Sequence, residues 1–348
     1  MKESESKQRI RYIDYARALG MLLVILGHIN FANSEIKAWI YSFHMPLFFF
    51  ISGMTLKTSQ GIDERNVWKY LRKRMYLLMV PYFVWALVYA SLDMRNCVRI
   101  LYGSHQTLTS AGSLTSLWFL PVLLEATAMF LAANWILKNR FNGISKLILI
   151  PLTFLIAFYL PKFKYGYPMG INLAFYAFGF LLLGNLCAPA IASFRNKQLN
   201  RGHDTIWWCI AAVGALIGTF LYKLNLPNGS YVNTANAEYG SVPIFLIAAM
   251  CGILFIMAVS ILLDIVCSSH LLKNLVYIGQ NTLGFFVTQK PIIRIFQSIF
   301  NRVKMPTAVE LIITWICTVF LCYMLVMILN KYIPVIVGKP MNSITSQS

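Results

Sequence analysis

Ten long apolar stretches follow one another along this chain, at approximately 12–31, 37–56, 74–92, 114–137, 145–161, 169–192, 206–224, 241–265, 274–299 and 308–332. No other feature narrows the fold as far. A spanning helix needs about 20 mostly apolar residues. Lipid offers a spanning backbone no hydrogen-bond partner but its own, which leaves helices as the solution for segments this long. The series predicts an all-α, polytopic integral membrane protein with about ten transmembrane helices. The polar stretches between them are too short for a soluble domain, so residues 1–348 read as one membrane-embedded domain without a soluble extension. The charged fraction agrees: 12%, against about 25% in soluble domains.

The net charge of +18 raises the question of nucleic acid. Its distribution answers differently. With the N-terminus inside and ten spans, Lys and Arg concentrate in the segments assigned to the cytoplasm, as the positive-inside rule requires. Lys57, Arg65, Lys69, Arg72, Lys73 and Arg74 make the second loop the clearest case. Both termini are then cytoplasmic, and the partner is a lipid bilayer, with no nucleic acid. The exception is the connection near Asn301–Pro306, expected outside although Lys290, Arg294, Arg302 and Lys304 surround it. Snorkelling to headgroups accounts for Lys290 and Arg294; attraction of an anionic acceptor to an outer cavity mouth is the sharper account. The seven cysteines lie in or beside apolar segments without metal-ligand spacing, so no metal site is expected.

The first apolar segment, RYIDYARALGMLLVILGHIN, carries ionisable groups at both ends: Asp14 and Arg17, then His28. Inside a membrane each costs at least a few kcal/mol. Eleven residue steps of about 100° come close to three full turns, so Arg17 and His28 share a helix face about 16 Å apart along the axis. Asp14 is placed to pair with Arg17. The stripe is open to two readings. Arg17 can snorkel and His28 can be interfacial, or the stripe lines a polar cavity with His28 as general base.

The second segment, YSFHMPLFFFISGMTLK, brings His44 to the depth of His28 if the two helices form a hairpin. The basic run before Pro81 is a topology signal or an anion site, with Arg72, Lys73 and Arg74 suited to phosphates. Glu125 falls within the fourth apolar segment, as a cavity residue or a structural partner. Trp118 begins that segment, in an aromatic belt or a sugar-stacking wall. Asn281 and Gln289, in the ninth, more often knit helices than touch substrate.

Taken together these segments resemble the acyltransferase-3 family of integral-membrane O-acyltransferases. The matching residues are Asp14, Arg17 and His28; FHMPLFFFISG at 43–53; the basic run with Pro81-Tyr82; LWFLPVLLE at 117–125; and IGQNTLGFFVTQKP at 278–291. The likeness runs in order along the whole chain and looks closest to the fucose 4-O-acetylase-like polysaccharide O-acetyltransferases. It implies no bound cofactor, cytoplasmic acetyl-CoA as donor, and a sugar hydroxyl as acceptor. That sugar belongs to a capsule, O-antigen or exopolysaccharide, or to its undecaprenyl-linked precursor, and the enzyme sits in the cytoplasmic (inner) membrane. Arg17 and His28 are the essential pair, with Asp14 and Glu125 as further catalytic candidates. Arg72, Lys73 and Arg74 join Arg17 as donor-binding candidates. His44, Trp118, Asn281, Gln289, Lys290 and Arg294 are the acceptor-binding candidates. Two positions depart from the pattern. Leu77 stands where many relatives have a second arginine, and Gln289 where many have histidine.

A succinyl or other acyl group is the alternative within this class. A transporter of lipid-linked sugar or a small anion is the alternative outside it. Transporters often show two related halves with corresponding broken helices. Here the polar residues gather in the first 125 positions, without such symmetry.

Overall fold

The computed structural model describes residues 10–29, 35–56, 64–90, 96–110, 116–201, 204–227, 230–267, 272–300 and 306–341. Each of the ten apolar stretches forms helix within these ranges. The helices are α1 (Arg11–His28), α2 (Glu35–Tyr41), α3 (His44–Thr55), α4 (Glu64–Tyr89), α5 (Cys97–Tyr102), α6 (His105–Ser110), α7 (Phe119–Leu137), α8 (Gly143–Tyr159), α9 (Ile171–Arg201), α10 (Thr205–Leu224), α11 (Val242–Val266), α12 (Lys273–Gln280), α13 (Thr282–Phe300) and α14 (Thr307–Tyr332). No named strand occurs among the described residues. Lys57, the side chain of Arg65, Arg302 and Lys304 lie outside the described residues, and so does the Asn301–Met305 part of the connection expected to be external.

Five helices, α7, α9, α10, α11 and α14, are long and apolar enough to cross a membrane by themselves. The remaining segments depart from simple spans for identifiable reasons. α1 carries its charges, and α8 is a shorter apolar helix of 17 residues. α4 begins at Glu64, ten residues before its apolar part, and α9 runs past its apolar part to Arg201. The polar extensions contain no breaker to stop them.

The second and ninth stretches are each broken in two. Between α2 and α3, Ser42 and Phe43 form a turn. The Ser42 hydroxyl donates to the Trp39 carbonyl (2.7 Å) and the His44 imidazole bonds the Ile40 carbonyl (3.0 Å), satisfying the end of α2. Pro46 follows in the first turn of α3, where its missing N–H is no loss. Between α12 and α13, Asn281 closes the break. Its side-chain amide donates to the Tyr277 carbonyl (2.7 Å) and its oxygen accepts from Asn330 on α14 (2.7 Å).

α1 is the central helix. It packs on α3, α11, α12, α13 and α14 and is buried on nearly every side, as a helix inside a bundle must be. Small residues allow the tightest crossings. A Cβ added at Gly279 would stand 2.0 Å from the Asp14 carbonyl oxygen, so α12 lies directly on α1. Gly53 and Gly184 likewise bring α3 and α9 into backbone contact. α8, α10 and α14 present the large exposed apolar side chains, among them Ile148, Leu155, Leu216, Phe220, Ile312 and Phe320. Such a surface belongs in lipid.

Candidate functional site

Two cavities flank α1 at different depths. One, of about 210 Å³, is lined by Arg17, Ser52, Arg74, Leu77, Gln280 and Gly338 among others. The second, of about 190 Å³, is lined by His28, His44, His105, Trp118, Tyr231 and Lys290 among others. Val24, Met45 and Phe286 line both, so a thin apolar partition of three side chains separates them. The helices around them alternate in direction. α1 and α13 run from the Arg17 end toward the His28 end, whereas α3 and α7 run back.

At the first cavity Asp14 is buried at 2% exposure. Its carboxylate sits 3.9 Å from the Arg17 guanidinium and accepts from the Gln280 amide at 3.5 Å. Arg17 also donates to the Thr55 hydroxyl (3.4 Å). The guanidinium is thus held by groups on two helices, α1 and α3. Arg74 joins it in this cavity and donates from Nε to the Tyr70 hydroxyl (3.2 Å). Leu77, one turn on, lines the same cavity, so the missing second arginine is missing here. Arg72 and Lys73 are exposed and line neither cavity. Of three consecutive cations on a helix, only one can face a given side, because each step turns about 100°.

At the second cavity the His28 Nδ1 lies 3.2 Å from the Gln289 amide oxygen. The Gln289 nitrogen donates to the Phe286 carbonyl (3.3 Å), which fixes which end of the amide faces the ring. An amide oxygen only accepts. Nδ1 therefore carries the proton and Nε2 keeps a free lone pair. Gln289 thus orients His28 and is itself completely buried. His44 is tautomerically fixed in the same way by the Ile40 carbonyl. Tyr41 packs between the two imidazoles, its ring 6.5 Å from His28 and 4.7 Å from His44. Trp118, only 5% exposed, forms part of this inner wall and not an interfacial belt.

Besides Arg72 and Lys73, three candidates lie elsewhere. Phe119 and Leu123 of α7 face the first cavity. Glu125, two residues on, points about 200° away round the helix and lines neither cavity. One of its carboxylate oxygens is buried without a hydrogen-bond partner among the described residues. Asn281 is used up in the α12–α13–α14 junction. Arg294 stands one turn beyond Lys290 and is exposed. Conversely, the structure adds Thr55, Gln280, His105, Ser116, Tyr231 and Thr234, none of which the sequence singled out. A histidine at 105 was visible, but nothing local placed it in the cavity of His28. No cluster of metal-ligating side chains occurs among the described residues.

Fold and site define a helical membrane protein with a polar site inside its bundle, open to chemistry at two depths along one central helix. The chain belongs to the acyltransferase-3 family: residues 10–329 match its acyltransferase domain. It is also similar to nodulation protein NolL of Sinorhizobium fredii (strain NBRC 101917 / NGR234), with 26% identity over 308 residues, 81% of this chain and 77% of that protein. The protein is an acyltransferase.

Proposed function

We propose that the protein is an O-acetyltransferase of the inner membrane, moving acetyl from cytoplasmic acetyl-CoA to a sugar hydroxyl of a surface polysaccharide or its lipid-linked precursor. One observation carries the reading. Arg17 and His28 lie on one face of α1 in two cavities that share Val24, Met45 and Phe286 as wall residues. The excess of basic residues in the loops at the Arg17 end supports a cytoplasmic position for that end.

Arg17 and Arg74 suit the phosphates of the donor, since guanidinium forks pair with phosphate oxygens. The long arm of the donor then runs along α1, and its thioester passes the three-residue partition. At the other side His28 Nε2 takes the proton of the sugar hydroxyl. The hydroxyl oxygen attacks the thioester carbonyl carbon, the carbon–sulfur bond breaks, and the imidazolium returns its proton to the departing thiolate. Burial next to Gln289 keeps His28 in the tautomer this step requires. Asp14 is a positioning residue for Arg17.

The decisive experiment compares the surface polysaccharide of the host with and without the protein by NMR. One O-acetyl signal disappears on deletion and returns with the wild-type chain. Unchanged O-acetylation, or loss of a succinyl signal instead, contradicts the acetyl assignment.

A further inference from the structure

The His28 cavity has one wall that acetyl transfer by itself does not require. The connection between α10 and α11 is a built turn. Asn233 and Glu238 exchange both backbone hydrogen bonds (2.9 and 3.0 Å), and a short 3₁₀ turn at Thr234–Asn236 closes the loop. The Asn225 side chain clamps its base, donating to the Tyr239 carbonyl (2.9 Å) and accepting from the Ser241 N–H (2.7 Å). Gly240, at φ 67°, passes so near that a Cβ there would stand 2.3 Å from the Asn225 oxygen. Lys37 of α2 pins the free end, its ammonium 4.4 Å from the Tyr231 ring and 5.4 Å from the Tyr41 ring. A turn anchored at three points holds Tyr231, Asn233 and Thr234 in the cavity wall.

Ser116 supplies an independent observation. It lines the same cavity, is 5% exposed, and its hydroxyl is buried without a hydrogen-bond partner among the described residues. Buried hydroxyls are nearly always satisfied, so an unsatisfied one at a cavity wall points to a ligand. The chemistry of the wall indicates what kind. Tyr41, Tyr231 and Trp118 give the wall the aromatic surface that sugar rings pack against, and Ser116, Asn233 and Thr234 give it polar groups suited to hydroxyls. Lys290 lines the same cavity as His28, which brings an ammonium into its wall. No carboxylate lines the cavity among the described residues.

Resting on the acetyl-transfer reading, we propose that this cavity is a built subsite for a sugar ring bearing an oxyanion. Lys290 binds the oxyanion, and the Tyr231–Thr234 turn with Ser116 selects the ring. The oxyanion is a carboxylate of the sugar or a phosphate of its carrier.

The test uses the purified full chain in lipid nanodiscs with labelled acetyl-CoA. Three acceptors are compared: a uronic-acid oligosaccharide, its carboxyl-reduced counterpart, and a neutral sugar on a polyprenyl pyrophosphate. Wild type should prefer an anionic acceptor by about tenfold in kcat/KM over the reduced one. Lys290→Met should bring that ratio near one, and Lys290→Arg should restore part of it. Ser116→Ala should raise acceptor KM several-fold and change kcat little, which a merely structural role would not do. Preference for the uronic acid assigns the oxyanion to the sugar; preference for the pyrophosphate conjugate assigns it to the carrier. Equal use of charged and neutral acceptors by wild type, or an unchanged ratio in Lys290→Met, overturns the proposal and leaves acetyl transfer standing. Transfer to none of the three, with acetyl-CoA bound, overturns the acetyl-transfer reading. Direct titration of the same oligosaccharides then decides the subsite: equal binding of acidic and reduced forms overturns it, and Lys290-dependent preference supports it.

Discussion

His28 and Gln289, 261 residues apart, form the smallest unit with a chemistry to test. His28→Ala should lower acetyl transfer by at least about 10²-fold, the usual worth of a general base, while the protein still accumulates in the membrane. Normal transfer by a well-expressed variant removes His28 from the mechanism. Gln289→Leu takes away the acceptor that fixes the Nδ1 proton, so either tautomer becomes available. Its kcat should fall about tenfold or more with acetyl-CoA binding unaffected, and Gln289→Glu should recover much of the loss because a carboxylate also accepts. At the other cavity Arg17→Lys replaces a fork by a point charge, and a single ammonium cannot reach Asp14 and Thr55 as the fork does. It should weaken acetyl-CoA binding, whereas His28→Gln should leave that binding nearly intact. Titrating acetyl-CoA into both purified variants checks the division; equal losses contradict it.

Among the elements, the α1–α12 crossing is the most exacting. Gly279 leaves no room for a methyl group beside the Asp14 carbonyl, and the obstacle is backbone, which cannot rotate away. Gly279→Ala should therefore cost about 1–3 kcal/mol through overpacking and displace Asp14 from Arg17. Thermal unfolding in detergent and acetyl-CoA titration should both register it. Gly143→Ala is the matched control. The nearest atom to its Cβ is 3.8 Å away, on a leucine side chain, and its stability should stay close to wild type. A stable Gly279→Ala variant would mean that α12 does not sit where the structure places it. The two broken segments follow the same logic, because Ser42 and Asn281 use their side chains to complete backbone left open at each break.

For the whole molecule, the alternation of helices puts Asn139, just past α7, at the Arg17 end and Ser230 at the His28 end. Both are exposed. Single cysteines at these positions, in a chain lacking its native cysteines, should respond differently to an impermeant thiol reagent on intact cells. Ser230→Cys should be labelled and Asn139→Cys spared. The opposite pattern reverses the orientation and with it the side from which the donor enters.

The sequence by itself determined that the apolar stretches are helical, because apolar length and the 3.6-residue period are local properties of a chain; the breaks at Ser42 and Asn281 and the short helices α5 and α6 it did not give. It also placed Arg17 and His28 on one face of α1, since both belong to one helix. Asp14, three residues from Arg17, was legible for the same reason. What only the tertiary structure decided lies between helices. Nothing near Arg74 in the chain tells it from Arg72 and Lys73, yet the packing of α4 turns only Arg74 into the cavity with Arg17. Glu125 looked expensive in an apolar segment, but the rotation of α7 carries it away from both cavities. Gln289 reads as a helix-knitting amide until α13 lies against α1 and makes it the partner of His28. The Tyr231–Thr234 turn and Ser116 sit in short polar stretches without a period to read, and they become a wall only where α1, α7 and α13 leave space beside them. A helix fixes its own faces by local geometry. Which faces meet depends on contacts summed over the whole bundle, and no window of sequence contains that sum.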